Sequence, residues 1–268
     1  MRTYKYIMFF MSIILLLFIF SKMPRYENFD TSKSVIPLNI FQTWTTKDLP
    51  PKMKECVENL KKQNPEFTHH LYDDNTCREF IMNNFDINVI KAYDALIPGA
   101  YKADLWRYCV LYKRGGIYLD IKYYCVNGFK LIDLVDKEYF IRDIEQSGSG
   151  IYNAFMICKA GNKKLLNCIN KIVDNAKNKY YGERIFDPTG PTLLVKEFSQ
   201  DELNAIPNIG LSEEKCPTKT CISMNGNPIL AIYKEYREEQ KEFFSRSKLK
   251  PYYDLWSERK IYNEAITF

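Results

Sequence analysis

Residues 101–121 read YKADLWRYCVLYKRGGIYLDI, and this stretch constrains the fold more than any other. As far as Gly115 the apolar positions follow helical spacing. Lys113 and Arg114 suit the negative end of a helix, and Gly115 is a natural stop. Gly116 then opens a short apolar strand, Ile117 to Leu119, that ends in Asp120. In open α/β sheets ligands bind beyond the carboxyl ends of the strands, so a carboxylate at that end is a candidate for chemistry.

The neighbouring segments repeat the alternation. IPLNIFQTW (36–44) reads as a buried strand closed by the Pro50-Pro51 turn, and KMKECVENLKKQN (52–64) as a helix with Met53, Cys56, Val57 and Leu60 on one face. FTHHLYDD (67–74) reads as a strand ending in acids, and residues 76–97 as two short helices. EYFIRD (138–143) and NAFMICK (153–159) are strand candidates; KKLLNCINKIVDNAKN (163–178) is an amphipathic helix. TGPTLLVKEF (189–198) starts another helix with Pro191 in its first turn. Such alternation predicts an α/β fold with a mostly parallel central sheet flanked by helices. The strand ends at Trp44, at Asp73 and Asp74, and at Asp120 are then expected on one side of it. The 268 residues suit one large α/β domain.

Residues 6–20, YIMFFMSIILLLFIF, carry no charge and form a short candidate membrane span. SKMPRYENF after it offers no small-x-small cleavage pattern, which favours an uncleaved anchor over a signal peptide. The expected organisation is an anchor over 1–22, a stem over 23–35 and a folded domain over 36–268. Four of the 38 basic residues, Arg2, Lys5, Lys22 and Arg25, lie in the acid-free first 25 positions, leaving 34 against 33 acids. That balance gives no reason to expect a nucleic-acid partner. KCPTKTC places Cys216 and Cys221 close enough for a small-loop disulfide, whereas Cys109 and Cys158 sit in apolar runs as buried thiols.

Among candidate site residues, Asp104 and Arg107 are i and i+3 on the helix that leads into the glycines, so they share a face. By spacing alone they read either as an ion pair or as ligand-facing groups. Asp120 could place one oxygen on a divalent cation, but the partner that strand alternation would put on the same face is Lys122. Trp44 could stack on a base or belong to the core. His69 and His70 are adjacent, point to opposite faces, and read as structural.

IPLNIFQTW, YDD, YKADLWRYCVLYKRGGIYLD, NAFMICKAGN, DPTGPTLL and YYDLW appear in that order. Together they resemble the glycosyltransferases with a D-x-D sugar-binding region (family 32 type), such as the initiating α-1,6-mannosyltransferases of fungi, α-1,4-galactosyltransferase-like enzymes and the large clostridial glucosylating toxins. The resemblance spans roughly 36–263, and its most specific block is Ala103 to Asp120. It implies a Rossmann-like nucleotide-sugar fold of the GT-A type and a retaining transfer of a hexose from a UDP- or GDP-sugar to a glycan or glycoconjugate acceptor. It implies that Trp44 stacks near the base, that Asp104 and Arg107 hold the donor sugar and phosphate, and that Asp120 is the first acid of D-x-D. Asn153 and Gly190 fall in family motifs, and Trp256 matches a tryptophan that closes over the donor.

Two departures stand out. Phe41 replaces a histidine often found in the first motif, and Lys122 replaces the second acid. Mn²⁺ or Mg²⁺ use is therefore open. Lys122 could substitute for the metal's charge, Asp120 could hold a metal with help from Asp254, or the chain could be a silent binder of glycans or nucleotide sugars on the same fold. The anchored reading implies a single-pass membrane protein with a lumenal Golgi- or ER-type domain, or residence in a host or viral membrane.

Overall fold

The computed structural model describes residues 34–143 and 150–268. The anchor and nearly all of the stem read from the sequence lie outside these residues. Among the described residues no helix is long and apolar enough to cross a membrane.

The first half alternates as expected: β1 (Asn39–Thr43), α1 (Pro51–Gln63), β2 (Thr68–Tyr72), α2 (Asp74–Asn84), α3 (Ile87–Ala95), α4 (Gly99–Arg114) and β3 (Gly116–Leu119). Then follow β4 (Tyr123–Cys125), β5 (Tyr139–Arg142), β6 (Ile151–Cys158), α5 (Lys163–Lys177), α6 (Pro191–Leu194) and α7 (Gln200–Asn204). The last elements are β7 (Ile209–Ser212), β8 (Cys221–Met224), β9 (Asn227–Ile232), α8 (Tyr236–Ser247) and α9 (Tyr252–Ser257).

The described strands form one sheet in the order β2-β1-β3-β6-β5-β7-β8-β9-β4. It is mixed, which corrects the expectation of a mostly parallel sheet. Only β1–β2, β1–β3 and β5–β7 run parallel; the other neighbours are antiparallel. The physical reason is connection length. Parallel neighbours need a long crossover, and the helices after β1 and β2 supply it. From β7 onward the chain returns by hairpins instead. The Asn225-Gly226 turn, with φ of 51° and 76°, joins β8 to β9 in the left-handed conformation that two-residue hairpins favour.

Both faces of the central strands are covered. Along β3, Ile117 and Leu119 belong to one core and Tyr118 to the other; along β6, Phe155 and Ile157 alternate in the same way with Met156 and Cys158. The period of two sends each set to its own side. On the Tyr118 side the cover includes Leu105 and Trp106 of α4 and Leu165, Ile169 and Ile172 of α5.

The two glycines fix how α4 hands over to β3. Gly115 closes the helix at φ 60°, its N–H donating to Leu111 O at 2.8 Å. Gly116 has φ 118°, and a Cβ there would stand 2.7 Å from Asn39 O. Only glycine lets β3 begin this close to β1 in that conformation. Cys216 and Cys221 form a disulfide, and the other six cysteines are buried thiols.

Candidate active site

Asp120 follows β3 directly. Its N–H donates to Ala154 O at 2.8 Å, and its carbonyl accepts from Tyr123 N at 3.1 Å and Gln42 Nε2 at 3.4 Å. Gln42 in turn is 2.7 Å from His69 Nε2. The carboxylate is thus presented by a backbone held on three sides. Its Oδ1 accepts from the Tyr118 hydroxyl at 2.9 Å and lies 3.5 Å from Arg107 Nη1; its Oδ2 accepts from Lys122 Nζ at 2.7 Å.

Arg107 reaches the second carboxylate as well, with Nη2 3.4 Å from Asp104 Oδ1. The helical spacing brings them together as expected. The guanidinium also donates to Asn153 O at 2.9 Å and to Ala103 O at 3.1 Å, and lies over the Tyr118 ring with its centre 4.4 Å from the centroid. Asn153, on β6, donates to Asp104 Oδ1 at 2.9 Å and to the Tyr108 hydroxyl at 3.0 Å. Thr189 completes the shell by donating to Asp104 Oδ2 at 2.7 Å. Gly190 is the next residue, and a Cβ there would lie 3.5 Å from the same oxygen. Charges therefore alternate along one line: Asp104, Arg107, Asp120, Lys122.

Burial and the neighbouring cations act against each other on the two acids, with opposite outcomes. Burial pushes Asp104 above the usual carboxylate range, only partly opposed by Arg107, Thr189 and Asn153. Burial acts in the same direction on Asp120, but Lys122 and Arg107 outweigh it and leave that carboxyl below the usual range. Burial would lower Lys122, yet Asp120 beside it holds the ammonium above its ordinary value.

Aromatic rings wall this line. Lys122 Nζ lies 5.2 Å from the Tyr123 ring centroid, 5.8 Å from Tyr152 and 5.9 Å from Tyr236. Tyr123 and Tyr152 share a hydroxyl–hydroxyl bond of 2.7 Å. Tyr252, opening α9, packs near Tyr101 and Phe186 at ring distances of 6.1 and 6.2 Å, and its hydroxyl lies within the electrostatic reach of Asp104 and Lys122. The sequence reading did not single out these tyrosines, whose apolar rings make them look like core. Thr189, Gln42 and Tyr118 were likewise not singled out.

Among the described residues, Trp44, Asp73, Asp254 and Trp256 make no hydrogen bond or ion pair with this line. Trp44 follows β1 and packs against Phe243 of α8, 5.2 Å between ring centroids. Asp73 caps α2, exchanging bonds with Thr76 at 2.8 and 2.9 Å, which accounts for one acid of YDD. Trp256 donates its indole N–H to Tyr181 O at 2.8 Å. Asp254 sits in the first turn of α9. His69 and His70 bond Gln42 and Asn39 within the sheet, as their structural reading required.

Residues 50–141, which hold Asp104, Arg107, Asp120 and Lys122, match the family model described as "Glycosyltransferase sugar-binding region containing DXD motif". The match covers about a third of the chain. Similar curated proteins include inositol phosphoceramide mannosyltransferase 3 of Schizosaccharomyces pombe, 30% identical over 63% of this chain and 47% of the relative. The initiation-specific alpha-1,6-mannosyltransferase of Candida albicans is 33% identical over 35% of this chain and 26% of its own. An uncharacterized glycosyltransferase, L373, of Acanthamoeba polyphaga mimivirus is 36% identical over 34% and 37%. The chain spans less than half the length of each of these relatives. Among solved structures, PaToxG glycosyltransferase overlaps 62% of this chain and 70% of its own at TM-score 0.47 and 18% identity, too slight a likeness to assign a fold. The likeness to that sugar-binding region rests on the sequence match, and the charged residues it covers cluster in space.

Proposed function

We propose that this chain transfers a hexose from a nucleotide-sugar donor to a carbohydrate-bearing acceptor, on a GT-A type fold. The observation that carries the reading is the line Asp104–Arg107–Asp120–Lys122 inside the matched sugar-binding region. The named relatives that act on mannose make mannose the first sugar to test. No comparison supports the silent-binder alternative.

In this reading Asp104 accepts hydroxyl bonds from the donor sugar. Arg107 is committed to both carboxylates and to Asn153 O, so it positions the acids and adds fixed positive potential. Electrostatic stabilisation of the departing diphosphate supplies most of the rate. The bond from C1 to the diphosphate oxygen breaks and the electron pair leaves with that oxygen. The acceptor hydroxyl attacks the same face, and its proton passes to the leaving phosphate, giving retention. Trp44 and Trp256 enter as base- and donor-covering residues, and Asn153 and Gly190 as shapers of the Asp104 surroundings. The Cys216–Cys221 bridge suits a lumenal domain held by the N-terminal apolar segment.

The test is a donor screen with the full chain, GDP-mannose beside UDP-sugars, and glycan and glycolipid acceptors. Turnover of one donor that is lost in Asp104→Asn supports the reading. Binding of a donor without transfer to any acceptor would leave the silent alternative in its place.

A further inference from the structure

The family resemblance implies a divalent cation held through D-x-D, and the residues present do not fit one. Position 122 carries an ammonium, and it already occupies Asp120 Oδ2 at 2.7 Å. The other oxygen accepts from Tyr118 and faces Arg107. Among the described residues no group of three or more His, Cys, Asp or Glu gathers as a cation site. Nor does any hydrogen bond or ion pair among them tie Asp254 to the charged line. A cation approaching Asp120 would have to displace one positive group and remain beside another.

Charge arithmetic points the same way. With aspartate at 122 the four positions 104, 107, 120 and 122 would hold three acids and one cation. With lysine they hold two of each. The difference is two unit charges, the charge of Mn²⁺ or Mg²⁺. The ammonium also has donors to spare. It carries three N–H groups, and among the described residues its one hydrogen-bond acceptor is Asp120. The rings of Tyr123, Tyr152 and Tyr236 surround it and restrict where it can swing.

We infer that Lys122 takes the place of the metal, so that this chain binds the diphosphate of a nucleotide sugar through a lysine ammonium and without a divalent cation. The inference rests on the donor-binding reading above and deepens it. Lysine suits this role as a compact point charge that phosphate oxygens accept from directly.

The experiment titrates UDP and GDP into the full chain by calorimetry, once in excess EDTA and once in Mn²⁺, and follows Mn²⁺ by electron paramagnetic resonance. One nucleotide is expected to bind equally under both conditions, with no protein-bound Mn²⁺ signal. Lys122→Gln is expected to weaken binding about tenfold or more, close to 1.4 kcal/mol. Lys122→Arg keeps the charge and is expected to retain binding in EDTA, which covers the case where the glutamine variant does not fold. In Lys122→Asp, binding is expected to return only with Mn²⁺. Wild-type binding that needs Mn²⁺, a protein-bound Mn²⁺ signal, or a folded Lys122→Gln that binds as tightly as wild type each overturns the inference while leaving sugar transfer standing. If neither nucleotide binds under either condition, the donor reading itself falls and takes this one with it.

Discussion

Lys122 Nζ and Asp120 Oδ2 lie 2.7 Å apart, with only 12% and 22% of their side chains exposed. Removing Lys122 takes the closest cation from a buried carboxylate that keeps only Arg107 at 3.5 Å and the Tyr118 hydroxyl, whereas removing both charges leaves none short of its partner. Lys122→Met is therefore expected to cost about 3 kcal/mol in urea unfolding. Asp120→Asn combined with Lys122→Met should recover at least half of that loss. Strictly additive losses in the double mutant would show that the two charges do not depend on each other.

The glycine hand-over makes a second, purely structural prediction. Gly116 combines φ 118° with a Cβ position 2.7 Å from Asn39 O, whereas Gly226 has φ 76° and open space around it. Gly226→Ala is expected to cost about 1 kcal/mol, the penalty of the left-handed conformation alone. Gly116→Ala adds a clash with backbone and should cost at least about 3 kcal/mol or prevent folding. Equal midpoints for the two variants in thermal unfolding would refute the assignment of β3's close approach to Gly116.

What could be read beforehand divides along physical lines. The helix–glycine–strand block was legible, with α4 and β3 where 101–121 placed them, because helical spacing, a C-terminal glycine and an apolar run are local signals. The proximity of Asp104, Arg107 and Asp120 has the same local origin, since one helix and one strand end place them. The direction of the later strands was not legible. Among the described residues, strand follows strand without an α-helix between them from β3 to β6 and again from β7 to β9, and β7, β8 and β9 are four to six residues long. Asn225-Gly226 is the one local hairpin signal in that region, and it fixes only the β8–β9 pairing. Thr189, Tyr152, Tyr236 and Tyr252 reach the charged line from chain segments far from it in sequence, and tyrosine's apolar body makes it read as core.

His69 gives a pH prediction. Burial, and then the positive charge of Lys61 and of His70, bring its imidazole down to about 4 from an ordinary 6.5, with Glu58 opposing. The folded state thus resists a proton that the unfolded chain accepts. The stability this contributes is complete above about 6.5 and is lost as pH falls towards about 4, amounting to at most about 3 kcal/mol. An NMR titration should place the His69 ring midpoint near 4. In a His69→Gln variant the difference in unfolding free energy from wild type should change between pH 7 and pH 4.5. A midpoint near 6.5 would mean that the ring is open to solvent and not buried beside Gln42.

Thr189 tests the proposed role of Asp104. Its hydroxyl donates to Asp104 Oδ2 at 2.7 Å, and it is one of the groups that hold down a carboxyl raised by burial. Thr189→Val removes that donor while nearly keeping the shape, so the Asp104 carboxyl should rise further. If turnover needs Asp104 ionised, the acidic limb of kcat/KM moves to higher pH in the variant, with a smaller loss at alkaline pH than at acidic pH. Thr189→Ser keeps the hydroxyl and should leave the limb in place. A uniform loss at every pH, equal in the valine and serine variants, would show that Thr189 only packs the turn before α6 and that the ionisation of Asp104 does not limit transfer.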